Sequence, residues 1–215
     1  MSDTRNLFAK IFMWLCLGLL ITFGVGYSIQ NNEPLINKLF SGGTYIIIWI
    51  VEIVLAIILS ARIHKMNPLT AGCLYIIYTA LTGLTFSTIF ILYKLTSIIF
   101  VFIITAGVLF VFGLIGYFTK IDLSKIGTYL MIAILSIIVL SVVSIFVKSV
   151  ALDFGIIALS LLVFVAYIAY DIQMIKRRLY SFGNTDSLAI YGAFQLYIDF
   201  INIFLDLLSL FGKEK

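Results

Sequence analysis

Charge is what this chain has least of. Only 11% of its 215 residues are Asp, Glu, Lys or Arg, where a soluble domain carries about a quarter. A solvated surface cannot be built from so little, which excludes a soluble enzyme, a disordered protein and a nucleic-acid binder. Cysteine is equally scarce. Cys16 and Cys73 each lie inside an apolar run, which excludes a disulfide scaffold and leaves both as expected small buried hydrophobes. Histidine occurs once, so no His-Glu-x-x-His zinc site exists; His64 titrates near neutral pH and is expected to be a solvated loop residue.

What fills the chain instead is apolar. Hydrophobic residues make up 63% and the mean hydropathy is +1.19. A bilayer crossing takes about 20 such residues, so seven crossings fit with short loops between them. Charge-free windows place the spans at Leu7–Ile29, Gly43–Ala61, Leu69–Leu92, Ser97–Phe118, Gly127–Val147, Phe154–Met174 and Leu188–Leu210. Ile and Val dominate these windows and would favour strands in water. In oil the backbone must satisfy itself, and continuous runs near this length are helices; a barrel would show alternating strands of about ten residues. The uncharged stretch Ile11–Asn32 is longer than the roughly 7–15 residues of a signal core, so a retained first helix is expected. One all-α domain over residues 1–215 follows, with no repeat or linker.

Cations sort by loop. The N-terminal segment and the loops after spans two, four and six hold Arg5, Lys10, Arg62, Lys65, Lys120, Lys125, Lys176, Arg177 and Arg178. The other side holds Lys38, Lys94, Lys148, Lys213 and Lys215. The positive-inside rule then puts the N-terminus in the cytoplasm. Between spans one and two, Gln30–Gly42 reads as one of the longer loops, and Ser181–Ser187 as a polar break. Asp122 or Ser124 is expected to cap the fifth helix.

Four acids stand inside spans: Glu52, Asp171, Asp199 and Asp206. Each costs about 2.5–3.5 kcal/mol on insertion scales, so each should face the bundle interior or a wet cavity. In span seven, Gln195, Asp199, Asn202 and Asp206 share, with Tyr191 and Ser209, an arc of roughly 80–90° at about 100° per residue. Such a stripe fits a central seventh helix wrapped by the other six, either as an ion path or as a seam of hydrogen bonds to neighbouring helices. Asp171 lies about one turn inside span six, and Asp199 some eleven residues into span seven; a depth gap of roughly 8–10 Å separates them. Were a bend or tilt to close that gap, the two carboxyls would share a proton, the basis of a pH-sensitive switch. Arg62, at about the depth of Asp171, is either a latch to it or an ordinary anchor. Glu52 either lines the path or bonds a neighbouring helix.

The segments Ala169-Tyr-Asp171-Ile-Gln173-Met-Ile175 and Leu196-Tyr-Ile-Asp199-Phe-Ile-Asn202-Ile-Phe204 resemble the two C-terminal signatures of the Bax inhibitor-1 (transmembrane Bax inhibitor motif) family. The Thr119-Lys-Ile-Asp122-Leu-Ser124 loop and Glu52 ahead of Arg62 are similar to it as well. The resemblance implies a central seventh helix and a pH-sensitive calcium leak governed by Asp171 and Asp199, with Arg62 nearest to the family's latch. It implies no enzyme activity and no tightly held cofactor. Calcium would be the permeating ion, touched weakly by the two aspartates, and protons the regulating one. The chemistry agrees, because calcium seeks oxygen ligands and weak sites suit permeation.

Two rivals remain. Tyr170-Asp171 also fits half of an intramembrane aspartyl protease, but Asp199 follows Leu-Tyr-Ile rather than a Gly-x-Gly step. A non-conducting regulator would act through protein partners, whose identity the sequence does not give. The Ile-rich composition points to the cytoplasmic membrane of a bacterium, where the lipid bilayer is the first partner.

Overall fold

A computed structural model describes residues 2–40, 43–182 and 185–215, without the side chains of residues 2, 3, 64 and 182. The expectation for the His64 side chain therefore lies outside the described residues. Every long element is a helix: α1 Ser2–Ile29, α2 Glu33–Phe40, α3 Thr44–Arg62, α4 Pro68–Leu92, α5 Leu95–Phe118, α6 Gly127–Val147, α7 Val150–Phe182 and α8 Asp186–Phe211. Short 3₁₀ turns follow α3 and precede α6. Seven of these helices are long and apolar enough to cross a bilayer.

Two boundaries differ from the sequence expectation. Residues 30–42 hold a helix, α2, rather than a plain loop. Helix α7 continues through Lys176-Arg177-Arg178 to Phe182, Lys and Arg being good helix formers. Local chemistry sets the other ends. Asn67 caps α4, its Oδ1 accepting from Leu69 N at 3.0 Å with Pro68 at the first helical position. Gly43 enters α3 at φ +86°, a left-handed conformation that suits glycine.

The chain packs as two compact units. The first comprises Met1–Leu95, Leu179–Tyr197 and Glu214–Lys215. Its core is the close approach of α1 and α4. A Cβ on Gly18 would fall 2.1 Å from the Tyr75 hydroxyl, and one on Gly83 2.9 Å from the Thr22 carbonyl. Small residues let the backbones meet, as helices in oil require. Tyr75 donates to the Trp14 carbonyl at 3.0 Å and meets the Trp14 ring edge-on. Fully buried Tyr197 joins this core, its hydroxyl 2.5 Å from that of Thr22, which donates to the Thr79 carbonyl at 2.8 Å.

The second unit comprises Thr96–Arg178 and Ile198–Lys213. Here Gly116 of α5 abuts the backbone of Ala169 on α7, and Gly127 of α6 lies under the Tyr170 ring. Phe102 packs on Phe200 with ring centres 5.1 Å apart.

Burial ranks the helices. In α8, 78% of the apolar window is buried, against 6% in the windows of α3 and α6, so α8 is the most buried of the seven long apolar helices, while α3 and α6 leave much of their Ile and Val exposed. Cys16 and Cys73 are exposed rather than buried. Lipid-facing positions are as apolar as a core, so the same residue type serves there.

Candidate functional site

Asp171 and Asp199 both belong to the second unit. Their exposures are 5% and 3%, and the charge of Asp171 acts directly on Asp199. Tyr167, one turn before Asp171 on the same face of α7, feels both carboxyls. The depth gap expected from sequence shrinks once α7 is counted to Phe182 rather than to Met174. Asp171 then lies about 16 Å from the end of its helix and Asp199 about 20 Å from the start of the next, at 1.5 Å per residue. The offset shrinks to about 3 Å.

Beyond buried Asp199, the polar stripe of α8 lies on the more open side of the helix. Asn202 and Asp206 are half-buried and Ser209 is exposed, while Ile201, Ile203, Phe204, Leu207 and Leu208 are buried. Asn202 donates its amide nitrogen to the Ile198 carbonyl at 2.8 Å, which leaves the amide oxygen as an acceptor. Among the described residues, Oδ2 of Asp199 and Oδ2 of Asp206 are buried with no hydrogen-bond partner. Ser160 of α7, itself buried, lies beside the Asp206 carboxyl. Acceptor oxygens without donors, set in oil, are hosts for a cation or a proton. No group of three His, Cys, Asp or Glu residues able to hold a metal occurs among the described residues.

A loop is fastened to α7 beside this site. Gln173 uses both ends of its amide on residues 119–126: Nε2 donates to the Ile121 carbonyl and Oε1 accepts from Leu123 N, each at 2.8 Å. Arg177 pairs with Asp122, and Lys176 donates to the Tyr117 carbonyl at 2.6 Å while lying over the Tyr117 ring. Asp122 caps the 3₁₀ turn Leu123–Ile126 rather than the fifth crossing helix itself, accepting from both the hydroxyl and the amide of Ser124, while α6 starts after Ile126 with no side-chain cap. The Ser124 bonds, with Arg177 adding to them, hold its carboxyl down at about 2 from the ordinary 3.8.

The remaining candidates lie in the first unit. Glu52 of α3 is half-buried, and Thr82 of α4 donates to its Oε1 at 2.7 Å. Gln195 of α8 is half-buried with its Oε1 orphaned. Arg62 is exposed at the last residue of α3. Sequence reasoning did not single out Tyr167, Thr82 or Ser160. Only Tyr167 left a signal, through its four-residue spacing from Asp171.

The family model described as "Inhibitor of apoptosis-promoting Bax1" matches residues 4–215. The inner membrane protein YbhL of Escherichia coli strain K12 is 38% identical over 220 residues, covering 100% of this chain and 94% of that one. A protein of Borreliella burgdorferi is 34% identical over 212 residues, covering 96% of this chain and 91% of its own. A membrane protein of Streptococcus pyogenes serotype M1 is 33% identical over 224 residues, at 98% and 93%.

Proposed function

Because the chain belongs to the Bax1-I family of membrane proteins, we propose that it is a pH-sensitive calcium leak of a bacterial inner membrane, gated by protonation of Asp171 and Asp199. The observation that carries this reading is two acids, 5% and 3% exposed, within electrostatic reach of each other inside membrane-crossing helices. Neighbouring carboxyls in oil cannot both ionise cheaply, so the pair exchanges a proton as pH changes. The polar stripe of α8 supplies oxygen ligands at buried Asp199 and half-buried Asn202 and Asp206, the hard donors that calcium prefers. Gln195 and Glu52 extend the supply of oxygens toward other parts of the path. Only weak, successive contacts are offered, and weak contacts suit conduction. No step needs an enzyme or a resident cofactor. Arg62 is the latch in this reading, holding ionised Asp171 in the closed state. The excess of cations on the N-terminal side orients that terminus to the cytoplasm.

The test is calcium flux into liposomes holding the isolated chain, over roughly pH 6 to 8, where a shared proton titrates. Flux that varies with pH in the wild type and loses that dependence in Asp171→Asn and Asp199→Asn is expected. Flux and pH response that survive both substitutions unchanged refute the gate. A chain that passes no calcium at any pH in that range refutes the leak and leaves a regulator that works through partners.

A further inference from the structure

Helix α2 occupies a place that no part of the leak uses. Its eight residues Glu33–Phe40 join the end of α1 at Ile29 to the start of α3 at Thr44. Both flanking helices cross the membrane, so tethers of a few residues confine α2 to the boundary between oil and water. On a helical wheel, Leu35, Leu39, Ile36 and Phe40 fill one continuous arc of about 140°, while Glu33, Asn37 and Lys38 fall outside it. The described protein covers that arc only in part: no residue of α2 is fully buried, the four apolar ones are half-buried, and Glu33, Asn37 and Lys38 are exposed. The helix is nevertheless deliberately started. Asn32 accepts from Leu35 N through Oδ1 at 3.2 Å and from Ile36 N through its carbonyl at 2.9 Å.

An aromatic series continues from its last residue. The Phe40 and Tyr45 rings are 5.5 Å apart, and those of Tyr45 and Trp49 5.9 Å. Tyr45 and Trp49 are 37% and 53% exposed on a helix whose neighbouring Ile46, Ile47 and Ile50 also face outward. Tyr and Trp concentrate where oil meets headgroups, so the series marks the level of the interface and Phe40 lies at its upper end.

We propose that α2 is an interfacial anchor, lying in the membrane plane with its apolar arc set into the headgroup–acyl boundary and its polar side in water. The occupant of what the protein leaves open on that face is the lipid of the bilayer that the chain spans. With Glu33 and Lys38 cancelling, no anionic headgroup is needed; apolar area does the holding. This rests on family membership and the seven crossing helices, not on ion conduction.

The full chain in phosphatidylcholine vesicles tests it. Both tryptophans, Trp14 and Trp49, are replaced by Phe, and Phe40→Trp supplies the single reporter. Its fluorescence is expected to be quenched more by lipid brominated near the headgroup than by lipid brominated at mid-chain, with quenching by aqueous iodide several-fold weaker than for a free tryptophan. Leu39→Glu is expected to abolish the lipid quenching, and Lys38→Glu to leave it unchanged. Free access of iodide with no bromolipid quenching overturns the proposal, as does an equal effect of the two charge substitutions. Should the reporter chain misfold, a lipid-borne photoreagent on the unsubstituted chain decides. Label on Leu35, Ile36, Leu39 or Phe40 supports the anchor, and label confined to α1 and α3 refutes it.

Discussion

Thr82 donates its hydroxyl hydrogen to Oε1 of Glu52 across 2.7 Å. The same hydroxyl also lies 3.1 Å from the Tyr78 carbonyl, so one hydrogen serves two acceptors, with Glu52 the nearer. Removing it leaves a half-buried carboxyl without that donor. Thr82→Val is expected to lower stability by about 1–3 kcal/mol, read as the unfolding midpoint in detergent. Glu52→Gln keeps an acceptor oxygen for Thr82 and is expected to stay within about 0.5 kcal/mol of the wild type. Equal losses in both variants would show that the bond matters less than the shape of the pocket.

The Asp122–Arg177 pair makes a pH prediction outside the membrane. A carboxyl held down at about 2 contributes stability above its ordinary value of 3.8, and loses it as pH falls toward 2. The loop 119–126 should therefore stay fastened from neutral pH to about pH 4 and loosen below it. A spin label at Lys120→Cys, in a chain with Cys16 and Cys73 replaced, reports this as mobility. Gln173→Ala is expected to loosen the loop at neutral pH, because both of its bonds to Ile121 and Leu123 vanish together.

Gly116 and Gly107 of α5 separate crowding from propensity. A Cβ on Gly116 would fall 2.4 Å from the Ala169 carbonyl oxygen, whereas one on Gly107 meets nothing within 4 Å. Gly116→Ala is expected to cost about 1–3 kcal/mol through overpacking. Gly107→Ala is expected to gain about 0.5–1 kcal/mol through lower backbone entropy. Thermal unfolding of the two variants side by side gives the sign of each.

If the aspartate pair gates and the α8 stripe conducts, the two roles come apart in flux data. Asp206→Leu is expected to reduce calcium flux at every pH while leaving the midpoint of its pH response in place. Asp199→Asn should abolish the response itself. A midpoint that moves with Asp206→Leu would make Asp206 part of the gate.

The seven crossings were legible because charge is costly in oil, and a chain that avoids it for twenty residues announces where it crosses. The same rule located Asp171 and Asp199. It misplaced the end of α7, since Lys176, Arg177 and Arg178 read as a loop although they continue the helix, where Lys176 bonds the Tyr117 carbonyl and Arg177 the Asp122 carboxylate. That single boundary carried the apparent depth gap with it. Helix α2 was hidden by its length, for eight residues give little periodicity. The Thr82 bond to Glu52 was illegible, because Thr79, Thr85 and Thr88 lie on the same helix and nothing in the sequence distinguishes the one that turns toward α3.

Helix α7 is 33 residues long, about 50 Å against a hydrocarbon core of about 30 Å. Its overhang is a handle. A pull on Lys176–Arg178 by headgroups or by another protein travels to Asp171 through about one and a half turns of unbroken backbone, with no hinge between to absorb it. If the aspartate pair gates, a load at the surface and a proton in the interior would act on the same unbroken helix.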